Sequence, residues 1–266
     1  MQKMGTEEKG RVIQSVQRAI NIIQCFTDEE YFLNLNQISS KTNLHINTTR
    51  GLVNTLLANE MLDYDCITGY YSLGAFFVAK GQMMERRNEK YVAIAQPYMR
   101  VITDKYLITA TFQVVRNEEI YTIAIRNSEK MHYKTNVELY KPLPYYASAS
   151  GKLYLFYNIL KDNPEYIEEL EMVPFTRRTC RSASSLKKEL DFIKEWGYGE
   201  ENQEMGSSVS GVAFPIFNSR GRMIASISGW GMDEIVEKNK KNIVADLQKM
   251  AKEIEKKIRA GVVESE

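Results

Sequence analysis

Residues 33–57 read LNLNQISSKTNLHINTTRGLVNTLL, and this stretch alone places two helices with a tight polar turn between them. Asn34 followed three residues later by Gln37 is a capping-box arrangement, in which each residue's side chain accepts from the other's backbone N–H at a helix start. The second helix of the chain is therefore predicted over residues 35–41. Thr42-Asn43-Leu44 supplies the turn, and Ile46, Leu52, Val53, Leu56 and Leu57 give a third helix, over residues 45–59, one apolar face. Two helices joined so closely predict a helix-turn-helix.

Upstream, Val12, Val16, Ala19, Ile20, Ile23 and Phe26 recur every three or four positions and predict a first helix over residues 12–26, ended by Asp28, Glu29 and Glu30. Downstream, residues 61–65 and 70–73 read as two short strands around Cys66-Ile67-Thr68-Gly69, whose glycine can supply a positive φ. Three helices and a hairpin make a winged helix-turn-helix domain, assigned to residues 1–75. In such a module the third helix enters the major groove, where Asn47, Thr48, Thr49, Arg50 and Asn54 offer side chains that read base edges or hold phosphates. Arg11, Arg18, Gln37 and His45 complete the candidate DNA-contacting set. Charge gives no general support: six basic residues (Lys3, Lys9, Arg11, Arg18, Lys41, Arg50) face eight acidic ones (Glu7, Glu8, Asp28, Glu29, Glu30, Glu60, Asp63, Asp65) before residue 75. A DNA footprint must then come from local placement. A small helical packing unit without DNA binding is the competing reading.

Composition bounds the rest. A chain of 266 residues that is 44% hydrophobic and 26% charged, with 15 Gly and 6 Pro, is globular and suits two domains. Its three cysteines, Cys25, Cys66 and Cys180, are odd in number and far apart, so neither a disulfide framework nor a CxxC metal pair is available. His45 and His132 are too distant in sequence to form a short metal-ligand motif, and no metal or other cofactor is expected. Apolar runs fall far short of the roughly 20 residues of a membrane span, and the polar start has no signal core, which predicts a cytoplasmic protein with no membrane partner.

Residues 76–97 read as a linker helix carrying the charge run Glu85-Arg86-Arg87-Asn88-Glu89-Lys90 and ending near Pro97. The remainder, residues 98–266, alternates β-rich and helical segments. Strands are predicted over residues 109–115 and 120–125, and over 209–217 and 223–228, each pair around a hairpin turn. Helices are predicted over 151–160, 164–171, 186–196 and 233–259, the last with Val236, Ile243, Leu247, Met250, Ile254 and Ile258 on one stripe against the sheet. The fold class is thus α+β with two domains. Ser148-Ala149-Ser150-Gly151-Lys152 puts small residues at a helix start, where unpaired N–H groups and the helix dipole favour an anion, although small residues also cap helices that bind nothing.

These residues resemble the IclR-type bacterial transcriptional regulators. Residues 15–23, SVQRAINII, look like the family's opening, residues 33–38 continue it, and Leu44, Thr48, Leu52, Thr55 and Leu56 match its recognition helix. Tyr70-Tyr71-Ser72-Leu73-Gly74 resembles the end of its wing. Pro142-Leu143, residues 147–152, Gly197-Tyr198, Pro215-Ile216 and residues 224–229 resemble its effector-binding domain in the right order. The resemblance implies a GAF-like C-terminal domain, a homodimer or homotetramer, a palindromic double-stranded DNA operator and a small carboxylate effector. It places Ala149, Ser150 and Gly151 on the loop that holds the effector carboxylate, and Glu201, Gly211, Ser226 and Ser228 around the same pocket. Two departures stand out: the family's mid-helix arginine is Gly51 here, with Arg50 one residue earlier, and Glu201 and Gly211 stand where aspartate and cysteine are common. A carboxylate in the pocket suits a hydroxylated or aromatic acid larger than a two- or three-carbon keto acid, with Tyr145 or Tyr146 against its face. An enzyme using Ser150, Ser226 or Cys180 is disfavoured, since there is no GxSxG elbow and neither histidine has a recognisable partner. A sensor or interaction module without DNA binding is the alternative function. Repression or activation depends on where the operator lies.

Overall fold

A computed structural model describes residues 12–131 and 137–263, so Arg11 and His132 lie outside the described residues. The chain divides between Arg87 and Asn88 into two compact units.

In the first unit, α1 (Gln14–Gln24), α2 (Leu35–Thr42) and α3 (Ile46–Ala58) are followed by the hairpin β1 (Leu62–Asp65) and β2 (Tyr70–Leu73). The capping box forms as the spacing predicts, Gln37 N–H donating to Asn34 Oδ1 and Asn34 N–H to Gln37 Oε1, at 3.0 and 2.9 Å. Asn43, left-handed at φ 51°, ends α2. A bridge between Leu33 and Tyr71 ties the entry of α2 to the wing. The core comprises Ile22, Phe26, Leu33, Ile38, Val53, Leu56 and Leu62. Helix α1 packs differently from expectation. It carries apolar residues on two sides, and Ile22 is buried with Ala19, Ile23 and the following Phe26 packed nearby, while Val16 and Ile20, and Val12 just before the helix, are exposed. Periodicity finds such stripes but cannot say which one meets the core.

The expected linker helix does not stop at Pro97. Helix α4 (Phe76–Tyr106) runs on past it and crosses the division between the units. Proline removes one backbone donor there, which burial of Ala95, Met99 and Ile102 offsets.

The second unit is built on an antiparallel sheet ordered β4-β3-β7-β6-β5, from β3 (Thr109–Arg116), β4 (Glu119–Arg126), β5 (Gly199–Asn202), β6 (Val209–Phe217) and β7 (Met223–Met232). The edge strand β5 was not expected, because GEEN has no apolar alternation; its place is set by pairing with β6. Alternation divides the faces. Ala110, Phe112 and Val114 on β3, with Ala225 and Ile227 on β7, pack against α4 and the last helix, α9 (Asp233–Val263), whose predicted stripe is buried throughout. The opposite face carries Thr111, Gln113, Ser226 and Ser228, and residues beside it pack with α5 (Ala149–Tyr154), α7 (Tyr166–Glu169) and α8 (Ala183–Trp196). Between α5 and the short α6 (Leu160–Asp162), residues Leu155–Ile159 form a π-helical turn.

In that turn Asn158 uses its amide as a backbone substitute, donating Nδ2 to Met223 O and accepting from Met223 N–H at 2.9 and 3.0 Å. Asn158→Ala leaves both groups at the head of β7 buried and unpaired, and is expected to cost about 2 kcal/mol in urea unfolding. A loss below about 0.5 kcal/mol would mean that water or neighbouring groups replace the amide.

Candidate functional site

The polar face of the sheet, the start of α5 and the β5–β6 loop enclose a cavity of about 610 Å³. Its floor follows from strand register: Thr111 lies opposite Ser228, and Gln113 opposite Ser226. Thr111 and Ser228 share a hydroxyl hydrogen bond at 2.6 Å, and Gln113 Nε2 donates to Thr111 Oγ1 at 2.8 Å and to Ser228 Oγ at 3.2 Å. Ser226 does not line the cavity. It is wholly buried and donates to Gln113 Oε1 at 3.0 Å, which fixes the amide with its NH2 toward Thr111 and Ser228. Thr111 and Gln113 were missed in the sequence, though the alternation Thr109-Ala110-Thr111-Phe112-Gln113-Val114 would have exposed them as one polar face.

On the facing wall, Ser148, Ala149 and Ser150 line the cavity at the start of α5. Ser148 caps the helix by accepting from Gly151 N–H at 3.0 Å and donating to Pro144 O at 2.9 Å. The Gly151 N–H is thereby engaged, and Gly151 is not at the cavity wall. Among the described residues no acceptor meets the N–H of Ala149 or Ser150, so these two remain to receive an anion.

Glu201 closes the site from β5. Its Oε1 accepts from the N–H groups of Glu204 and Met205 at 2.6 and 3.0 Å. Burial nevertheless pushes its pKa up to about 7, against the pull of those two N–H groups. The group is therefore divided between acid and carboxylate near neutrality, and repels an anion less than its formal charge suggests. Behind it, the fully buried Lys152 ammonium is held by Glu204 at 2.5 Å and by Glu189 at 3.0 Å. Burial opposes the Lys152 charge, but the two carboxylates carry its pKa above the ordinary lysine value.

Gly211 on β6 sits opposite Glu201 and Trp230. A Cβ there would come 2.4 Å from Trp230 Cβ, so glycine is what lets the tryptophan close over this strand. Trp230 and Phe175 provide the aromatic lining. The expected tyrosines do not: Tyr145 donates to Glu118 O, and Tyr146 is bonded through its hydroxyl to Val173 and stacked on Phe175, with centroids 6.1 Å apart. Among the described residues no group of His, Cys, Asp and Glu is arranged to hold a metal ion.

In the first unit, α3 presents Asn47, Thr48, Arg50 and Asn54 to solvent. Thr49 is wholly buried and donates to His45 O, so it belongs to the helix packing and not to the exposed face. His45 is exposed at the start of α3, its Nδ1 accepting from Asn47 N–H. Gln37 is exposed, but its Oε1 serves the capping box. Arg18 is exposed on α1, and Arg50 on α3.

The model of the bacterial transcriptional regulator IclR C-terminal region matches residues 87–256, and that of the IclR helix-turn-helix domain matches residues 15–65. The chain is 26% identical over 223 residues to the HTH-type transcriptional regulator XynR of Escherichia coli K12, covering 82% of this chain and 85% of XynR. It is 23% identical over 248 residues to the DNA-binding transcriptional repressor YiaJ of the same strain, covering 91% and 86%. An IclR transcriptional regulator of Alicyclobacillus acidocaldarius shares the fold at a TM-score of 0.74 and 19% identity, over 93% of this chain and 99% of that one. An IclR homologue of Microbacterium hydrocarbonoxydans complexed with 4-hydroxybenzoate does so at 0.74 and 19%, over 92% and 99%.

The raised Glu201 pKa has a pH signature. The folded protein holds this proton up to about pH 7, whereas the unfolded chain releases it near 4.5, so the stabilising contribution is intact below 4.5 and lost as pH rises through 7. Glu201→Gln keeps the acceptor oxygen without the charge. Its stability advantage over the parent is expected to grow by about 2 kcal/mol between pH 5 and pH 8 in urea unfolding. An advantage independent of pH would place the Glu201 pKa in the ordinary carboxyl range.

Proposed function

The chain belongs to the IclR family of bacterial transcriptional regulators, and from this premise we propose that its affinity for a palindromic operator is set by a small carboxylate bound in the cavity of the second unit. The observation that carries this reading is the pair of N–H groups, of Ala149 and Ser150, that meet no acceptor among the described residues and belong to the wall of the cavity whose floor is Thr111, Gln113 and Ser228. Two backbone N–H groups at a helix start suit the two oxygens of a carboxylate. A cavity of about 610 Å³ has room for a six-membered ring and is far larger than a keto acid of two or three carbons requires. Phe175 and Trp230 offer faces for an aromatic or hydroxylated ring, and Glu201, Thr111 and Ser228 partners for its hydroxyls. The 4-hydroxybenzoate bound by the Microbacterium homologue is an acid of this type.

DNA would be held by α3 and the wing of two subunits of a homodimer or homotetramer, with half-sites about 34 Å apart along the duplex. Regulation then requires only that the effector bind better to one arrangement of the DNA-binding heads than to the other. A ligand with equal affinity for both would change nothing. The relative YiaJ is a transcriptional repressor, which favours repression as the output.

The test is a thermal-shift screen of the full chain against hydroxybenzoates, sugar acids and short keto acids, followed by operator binding with and without the best compound. A ligand at 100 times its Kd adds about 2.7 kcal/mol of stability. A ring-bearing or hydroxylated acid is expected to give the largest shift, to lose it in Glu201→Ala and in Ser228→Ala, and to change operator affinity. A preference for pyruvate or glyoxylate, or a shift untouched by both substitutions, would overturn the reading.

A further inference from the structure

Gly51 lies at the centre of the exposed face of α3, and nothing in the fold asks for glycine there. A Cβ built on it meets no atom of the described residues within 4 Å, and its backbone is helical with no positive φ. Glycine in a helix interior is less favourable than alanine, so the chain gives up stability at this position without a gain inside the folded unit. The constraint then comes from outside, from a surface that approaches the helix more closely than a side chain would allow.

The residues around Gly51 say what that surface is. Asn47, Gly51, Asn54 and Ala58 follow one another at helical spacing along one stripe, opposite the buried Thr49, Val53 and Leu56. Other polar side chains of the helix are turned back on it: Thr49 donates to His45 O, Thr55 to Gly51 O, and Asn59, at its end, to Thr55 O. The side-chain amides of Asn47 and Asn54 have no partner among the described residues. An asparagine amide offers one donor and one acceptor side by side, the complement of adenine N7 and N6 in the major groove. Asparagine is short, so this contact needs the helix axis deep in the groove, and any side chain midway between the two would hold it off. Seven residues span about 10.5 Å of helix, about three base-pair steps.

We propose that Gly51 is the point of closest approach between α3 and the operator, and that Asn47 and Asn54, on either side of it, each read one adenine of a half-site through the major groove. The two adenines lie about three base pairs apart. This rests on the DNA-binding reading above, and adds the residue that sets the depth of the helix and the base that the half-site must contain. Arg50, exposed and about 100° round the helix from Gly51, is left to hold phosphate.

The experiment selects duplexes from a library with 20 random base pairs on the full chain, and then measures anisotropy of the selected duplex and melting of the protein. Each half-site is expected to contain two adenines about three positions apart. Gly51→Ala is expected to raise the melting temperature by about 4 °C while binding the selected duplex at least tenfold more weakly, so that lost affinity cannot be lost folding. Asn47→Ala and Asn54→Ala should each abolish the preference for adenine at one position, and 7-deazaadenine at that position should weaken the parent to a similar extent. Gly51→Ala binding as tightly as the parent, or asparagine variants that keep both adenine preferences, would overturn the inference and leave DNA binding standing. A parent chain that enriches no sequence would overturn the DNA-binding reading itself, and this inference with it.

Discussion

The second unit depends on one constraint: a β-strand sends alternate side chains to opposite faces, and β3 and β7 use this to build a dry layer and a polar one from the same residues. Phe112 and Ile227 help bury α4 and α9, and this apolar face supplies the stability. Thr111, Gln113, Ser226 and Ser228 face the other way, where burial would be costly if their groups were unpaired. They pair with one another. Because Ser226 uses the Gln113 carbonyl, the amide NH2 is directed at Thr111 and Ser228, and the floor has a fixed orientation before any ligand arrives.

The charged half of the cavity follows the same logic at higher cost. Lys152 is buried on the helix whose start carries the Ala149 and Ser150 N–H groups, and it can keep its charge only because Glu204 and Glu189 meet it. Glu204 also offers its backbone N–H to Glu201, so the ion pair and the pocket carboxyl are fixed by one short loop. Burial leaves Glu201 able to change its protonation state near neutral pH, and a ligand's charge and hydroxyl pattern would set which state is preferred.

In the first unit the allocation is reversed. The core of three helices and a wing is spare, built on seven buried apolar residues among those described, and the exposed face of α3 is left with groups that contribute little to it. A solvent-exposed glycine and two asparagines, whose amides meet no partner among the described residues, are poor helix formers and a poor choice for folding alone. They become intelligible when a second surface is allowed to complete them, as functional positions commonly break local rules of stability.

Much of this was fixed by local sequence. The capping box at Asn34 and Gln37, the φ-permissive Gly69 of the wing, the apolar stripe of α9 and the hairpins around β3 and β7 are properties of residues a few positions apart, and short-range sterics and periodicity determine them. What tertiary structure decided involves residues that meet only after folding. Which apolar side of α1 faces the core, the pairing of GEEN as an edge strand, and the passage of α4 through Pro97 depend on what packs alongside. The same holds for the site: Thr49 and Ser226 are small and polar like their neighbours, and only the packing of helix on helix and strand on strand puts them behind the surface. Gln113, Glu201 and Trp230 come from three different strands, and no local pattern can state that they enclose one cavity, because strand register rather than sequence spacing brings them together.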